Sequence, residues 1–156
     1  MTDLPFNTPL YETDLRGAGV PAPWTFGVAD KTRFGELDVL GHVNNTAYLR
    51  WAENFRINYF KDYAIADYSG EPPRLVLRQV GMDFLKEMKL HEPYLITGRT
   101  VSLRRSSFRM EYAIYAGDLR ATGHAILVWL NQDGQKTDLP DHVRATIIDR
   151  DGAEQL

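Results

Sequence analysis

The chain has 156 residues, a formal net charge of −3 at pH 7, 44% hydrophobic and 25% charged residues, and no cysteine. That size and apolar fraction suit one globular domain able to bury its own core. The lack of a basic surplus argues against a nucleic-acid backbone or an anionic membrane as partner. Without cysteine, disulfides, thiolate metal sites and cysteine nucleophiles are excluded, and a reducing cytoplasm is compatible.

Met1-Thr2-Asp3-Leu4-Pro5-Phe6 has no basic stretch followed by an apolar one, so no secretory signal is expected. Nor is any apolar run long enough to span a bilayer, and the expected location is cytoplasmic. Residues 1–23 carry Pro5, Pro9, Gly17, Gly19, Pro21 and Pro23. This density of breakers predicts an irregular arm ahead of a single domain over residues 24–150. Trp24, Phe26 and Val28 alternate within Trp24 to Phe34, which reads as a first strand.

The run Asp38-Val39-Leu40-Gly41-His42-Val43-Asn44-Asn45 places one carboxylate a short turn ahead of a capped helix start. Asn44 and Asn45 are strong N-cap residues, because their side chains accept from unpaired first-turn N–H groups. Those N–H groups, with the positive end of the helix macrodipole, suit a carbonyl oxygen that is becoming an oxyanion. A carboxylate beside them can attack or activate water, which is what hydrolysis of an activated acyl group needs.

From Asn45 to about Phe60, the residues Tyr48, Trp51, Ala52, Phe55 and Tyr59 recur at helical spacing opposite Arg50, Glu53 and Asn54. One long buried helix is predicted. After a loop around Ser69 to Pro73 the period changes to alternation. Arg74 to Leu90, Tyr94 to Arg105, Phe108 to Ala116 and Arg120 to Leu130 are then strand candidates. Gly117-Asp118 and Asp133-Gly134 supply turns, and the short connections favour an antiparallel meander. Thr137 to Ile148 predicts a closing helix with Pro140 in its first turn. The fold class is therefore α+β, an antiparallel sheet of about five or six strands wrapped around one central helix.

The segment Arg33-Phe34-Gly35-Glu36-Leu37-Asp38 through Gly41-His42-Val43-Asn44-Asn45, with Tyr48, Glu53 and Arg56, resembles the signature of the hotdog-fold acyl-CoA thioesterases of the 4-hydroxybenzoyl-CoA thioesterase-like group. It is also similar to the corresponding segment of plant acyl-carrier-protein thioesterases. Arg104 to Ser107, the strand ending near Trp129 and Leu139 to Arg144 continue the likeness, which covers about residues 24–148. The resemblance implies a hotdog domain working as a homodimer or homotetramer, with its active site between one subunit's helix start and its neighbour's sheet. It implies Asp38 as nucleophile or general base, and the Asn45 backbone amide as oxyanion donor. His42, Asn44 and Asn45 stand where 4-hydroxybenzoyl-CoA thioesterases carry apolar and aromatic residues, so an aromatic substrate is not implied.

Read as chemistry, the remaining candidates are substrate contacts from His42, Asn44, Tyr48 and Glu53. Glu53 is also the reserve catalytic carboxylate, because some related enzymes use a helix glutamate. Each has a plainer reading: Asp38 as a turn aspartate, His42 bonded at a turn, Tyr48 in the core, and Glu53 with Arg56 as an exposed helix pair. Arg104, Arg105, Ser106 and Ser107 suit the phosphates of coenzyme A, although alternation turns the two arginines to opposite faces. His42, His91, His124 and His142 lack metal-ligand spacing, and no metal or cofactor is expected. Gly17 to Ala22 has neither strand nor helix around it to make a dinucleotide fingerprint, and no phosphate-loop lysine or Gly-x-Ser-x-Gly elbow occurs. The expected function is hydrolysis of an acyl-CoA to free acid and coenzyme A. The alternatives are an acyl-carrier-protein thioesterase, a non-catalytic acyl-binding hotdog protein, or a hotdog hydratase.

Overall fold

The long apolar stripe becomes helix α2, Asn45–Asp62, in a computed structural model that describes residues 3–156. Its first two elements are the strand β1, Leu10–Tyr11, and the helix α1, Glu12–Gly17; the strand β2, Phe26–Lys31, precedes α2. Asn44 caps α2, its side-chain oxygen accepting from the Thr46 N–H at 2.9 Å. The buried face carries Tyr48, Trp51, Ala52, Phe55 and Tyr59, the residues that recur at helical spacing in the sequence, and Phe60 besides. Arg56 is buried too, and donates to the Tyr112 hydroxyl at 3.3 Å. The expected exposed pair of Glu53 and Arg56 therefore does not form, because Arg56 lies on the inner side of the helix.

The strands β3 (Arg74–Phe84), β4 (Pro93–Leu103), β5 (Ser107–Ala116) and β6 (Asp118–Leu130) form the body of the sheet. The order is β1-β2-β4-β5-β6-β3, antiparallel throughout. A final two-residue strand, β7 (Glu154–Gln155), runs parallel to β4. The meander holds for β4 to β6, but β3 crosses to the far edge and pairs with β6 rather than β4. β3 also ends earlier than its alternation suggests, where the Leu85 and Lys86 N–H groups both turn to the Arg120 carbonyl. No helix among the described residues is long and apolar enough to cross a membrane.

One sheet face packs on α2. Phe108, Met110, Tyr112 and Ile114 of β5 are all buried there, and Phe26 and Tyr112 meet Phe55 edge-to-face at 5.7 and 5.8 Å. Gly98 of β4 lets the helix come this close: a Cβ there would stand 2.6 Å from the Phe55 ring and 2.9 Å from that of Tyr112.

The N-terminal segment is more ordered than its prolines and glycines predict. β1 pairs with the edge of β2, and Leu10, Leu15 and Val20 bury against Ala29 and Leu95 on the other sheet face. The apolar residues between the breakers supply that small second core. The closing helix α3 spans Asp141–Asp151, with Pro140 at its cap position and Gly152 stopping it at φ +67°. Its last residue, Asp151, is buried and accepts from the Tyr59 and Tyr63 hydroxyls, both at 2.6 Å, and from the Thr100 N–H at 2.7 Å. Burial pushes the Asp151 carboxyl above the usual carboxylate range, against the pull of these three donors. The same burial raises both phenols, so they stay neutral donors.

Two substitutions test this packing. Asp151→Ala leaves two or three buried donors without an acceptor at about 1–3 kcal/mol each, and a chain of this size loses roughly 2–4 °C of melting temperature per kcal/mol. A fall of about 5–15 °C by calorimetry is expected. Gly98→Ala overpacks the seat of Phe55 and is expected to cost about 1–3 kcal/mol in denaturant unfolding.

Candidate active site

Between β2 and α2 the chain makes a short 3₁₀ turn, Phe34–Glu36, then a pinched loop. Leu37 and Val43 form an isolated antiparallel bridge, and the Asp38 N–H donates to the His42 carbonyl at 2.8 Å. The Gly41 N–H closes a turn onto the Asp38 carbonyl at 3.1 Å, with Gly41 at φ +77°, a conformation that costs glycine nothing. Asp38 Oδ1 accepts from the Leu40 N–H at 2.8 Å and the His42 N–H at 3.2 Å. The turn-aspartate reading thus describes one carboxylate oxygen. Oδ2 has no hydrogen-bond partner among the described residues and is left for other chemistry.

Asp38, His42, Val43, Asn44, Asn45 and Tyr48 line one cleft of about 480 Å³, completed by Phe84, the last residue of β3, and by Leu85 to Glu87 after it. The Asn44 side chain is occupied by the Thr46 N–H and hydroxyl. The Asn45 N–H has no acceptor among the described residues, so the first helical amide stands free in the cleft that Asp38 also lines. Tyr48 is buried, with its ring 4.8 Å from Trp51 and 5.0 Å from Phe84, and forms an aromatic floor. At the rim, His42 Nε2 lies 2.9 Å from Glu87 Oε2 and pairs with it when protonated. Both groups are partly exposed, so the pair itself is worth little. Val39, Leu40, Phe84 and Leu85 are exposed around the mouth.

Glu53 stands apart, exposed on α2 two turns beyond Asn45 and outside the cleft. The four candidate phosphate ligands are split by the β4–β5 hairpin. Arg104 and Ser107 line a second cleft of about 560 Å³ with Arg78, Ser102 and Arg109. Arg105 turns away to an ion pair with Asp138, and the Ser106 carbonyl is taken by the Trp129 N–H at 2.8 Å. The two clefts share no residue within one chain. Among the described residues no three His, Asp or Glu side chains gather as a metal-holding group.

Several contributors escape a reading of the sequence. Arg109 carries an outward-facing signal in its alternating strand, but Arg78 sits at a bulge between Leu77 and Gln79, where alternation fails. Glu87 follows a strand that is shorter than its alternation suggests. Glu36 belongs to the signature segment, yet nothing in its spacing reveals that it accepts from the Trp51 indole at 2.9 Å.

A model of the family described as "Thioesterase-like superfamily" matches residues 32–147. A thioesterase-superfamily protein from Jannaschia sp. CCS1 is 46% identical, with 98% of this chain and 99% of that chain covered and a TM-score of 0.92. A thioesterase from Thermus thermophilus, solved with coenzyme A and Zn, is 35% identical over 81% of this chain and 94% of its own, with a TM-score of 0.72. The uncharacterized protein YsmA of Bacillus subtilis (strain 168) is 26% identical over 119 residues, 74% of this chain and 80% of that protein. With the fold, the structural likeness and a family match over most of the chain in agreement, the protein belongs to the thioesterase-like superfamily, whose chemistry is thioester hydrolysis.

Proposed function

We propose that the protein hydrolyses acyl-CoA thioesters to the free acid and coenzyme A in the Asp38 cleft. The observation that carries this reading is a cleft lined by both Asp38, whose Oδ2 is unpaired among the described residues, and Asn45, whose N–H is unpaired at the start of an 18-residue helix. The thioester carbonyl oxygen accepts from the Asn45 amide, and the helix dipole favours the charge that builds on it. Asp38 then acts in one of two ways. Its Oδ2 attacks the carbonyl carbon, the C–S bond breaks and the thiolate departs, leaving a mixed anhydride that water cleaves. Alternatively it takes a proton from the water that attacks the carbonyl carbon, the C–S bond breaks as the tetrahedral intermediate collapses, and the proton passes to the departing thiolate. A quenched single turnover separates the routes, since only the first adds the mass of the acyl group to Asp38. His42, next to Glu87 at the rim, and Tyr48 on the floor contact the substrate on either side of the reacting carbonyl.

The relative from Thermus thermophilus solved with coenzyme A supports a CoA-linked substrate. Arg104 and Ser107, joined by Arg78 and Arg109 rather than Arg105, offer guanidinium forks and a hydroxyl to its phosphates. Their cleft is separate from that of Asp38 within one chain, and a second copy brings the two kinds of site together. The open flank of β3 favours that assembly: 11 residues long, it exposes Val76, Leu77 and Phe84 and pairs on one side only. The opposite edge, β2, is covered by β1.

Asp38→Asn is expected to lower kcat for thiol release by about 10²–10⁴-fold without loss of fold, measured over short, long and aromatic acyl-CoAs. Full activity in that variant contradicts the assignment. Arg104→Gln with Arg109→Gln is expected to raise KM for acyl-CoA about tenfold or more and to leave acyl-pantetheine, which lacks the nucleotide phosphates, unaffected. In light scattering the native protein is expected at twice the 17.8 kDa chain mass or a higher even multiple. Leu77→Lys on the β3 edge is expected to shift it toward monomer.

A further inference from the structure

We propose that Glu36 is a positioning residue that holds the Asp38 loop at a fixed height against α2, so that the carboxylate and the Asn45 N–H address the same carbonyl. The proposal rests on the thioesterase reading of the Asp38 cleft.

The bonds that Asp38 makes run to Leu40, Gly41 and His42, all within its own loop. They shape the carboxylate inside the loop, but they do not fix the loop relative to the body of the helix. Glu36 supplies that link from the loop's entry side. Its carbonyl accepts from the N–H of Asn44, the cap residue itself, at 2.7 Å. Its carboxylate reaches past the cap, and Oε1 accepts from the Trp51 indole N–H at 2.9 Å in the second turn of α2. Oε2 accepts from the Arg33 N–H at 2.8 Å.

Both ends of this bridge are held by further contacts. Trp51 is buried and stacked on Tyr94 of β4, with ring centroids 4.0 Å apart and planes at 20°. On the other side the Arg33 guanidinium is forked onto the buried Asp30 of β2 at 2.8 and 3.1 Å. Glu36 therefore ties β2 to α2 two residues before Asp38. Bonds to an ionised acceptor are stronger and more directional than neutral ones. A misplacement of about 1 Å in a reacting group can cost 10²-fold in rate, so a tie at this position acts on turnover more than on binding.

Trp51→Phe keeps a six-membered ring against Tyr94 and removes the N–H together with the pyrrole part of the indole, whereas Glu36→Gln leaves the indole whole and keeps one acceptor oxygen of two. Three measurements test the tie: steady-state kinetics of acyl-CoA hydrolysis, thermal unfolding, and backbone amide resonances of the ¹⁵N-labelled protein. Trp51→Phe is expected to lower kcat about tenfold or more, with KM changed less than about twofold and the amide resonances of residues 38–46 displaced. Glu36→Ala is expected to behave likewise, Glu36→Gln to recover part of the loss, and the double variant of Glu36→Ala with Trp51→Phe to be no slower than the slower single variant. Full kcat in Trp51→Phe, losses that multiply in the double variant, or an effect confined to the melting temperature overturns the proposal. Unmoved resonances at residues 38–46 overturn it whatever the turnover. Displaced resonances in a protein that releases no thiol from any acyl-CoA uphold the tie and refute the thioesterase reading instead.

Discussion

Helix α2 can present its first amide to Asp38 because the rest of the helix is sunk into the sheet. Phe55, Tyr59 and Tyr63 are fully buried among β2, β4 and β5, and each such side chain contributes about 1.5–3 kcal/mol when covered. The Asn44 cap contributes about 1 kcal/mol and a charge at the helix start about 0.3–1 kcal/mol. The core term is much the largest, so the position of the helix's N-terminal end is set by packing far from the Asp38 loop. Gly98 fixes the depth of that seat, and the Asp151 carboxylate, gripping Tyr59 and Tyr63 from α3, fixes its far end.

With the helix so placed, the chemistry asks for no unusual group. The loop occupies only one oxygen of the Asp38 carboxylate. The free amide, the free oxygen and the aromatic floor of Tyr48 all come from the short stretch between Asp38 and Tyr48. Local turn chemistry and the helix cap bring them together without any long-range ion pair. What the stretch does not provide is a dock for a nucleotide. The arginines that suit one lie on the β4–β5 hairpin, on β5 and on the β3 edge, and of these only Arg78 belongs to the edge strand. The contrast between the covered β2 edge and the open β3 edge gives the sheet a direction in which a second copy can extend it.

Much of this was legible in the chain itself. The aromatic period of α2, the alternation of β5 and the Asn44 cap are local patterns that burial enforces, and each appears in the structure. The Asp38 to Asn45 run was legible as a constellation because turn and cap chemistry act over a few residues. The failures share a physical origin in contacts between residues distant in sequence. Arg56 looked like an exposed partner of Glu53 and is buried against Tyr112, 56 positions away. Arg105 stood with Arg104 among the phosphate candidates, although alternation turned the two to opposite faces, and its partner proves to be Asp138, 33 positions away. The N-terminal arm looked irregular because its breakers are conspicuous, whereas Leu10, Leu15 and Val20 find their partners only once β2 and β4 are in place. Glu36 was visible as a signature residue, but its tie to Trp51 depends on how the loop folds back on the helix.

The most direct measurement is a crystal structure of the protein with an acyl-CoA analogue whose thioester sulfur is replaced by a methylene group. The ketone oxygen is expected within hydrogen-bond distance of the Asn45 N–H, with the Asp38 carboxylate facing the carbonyl carbon or a water beside it. The nucleotide phosphates are expected against Arg104 and Arg109 of a second copy. An analogue seated elsewhere, or a carbonyl turned away from the start of α2, would contradict thioester hydrolysis in the Asp38 cleft.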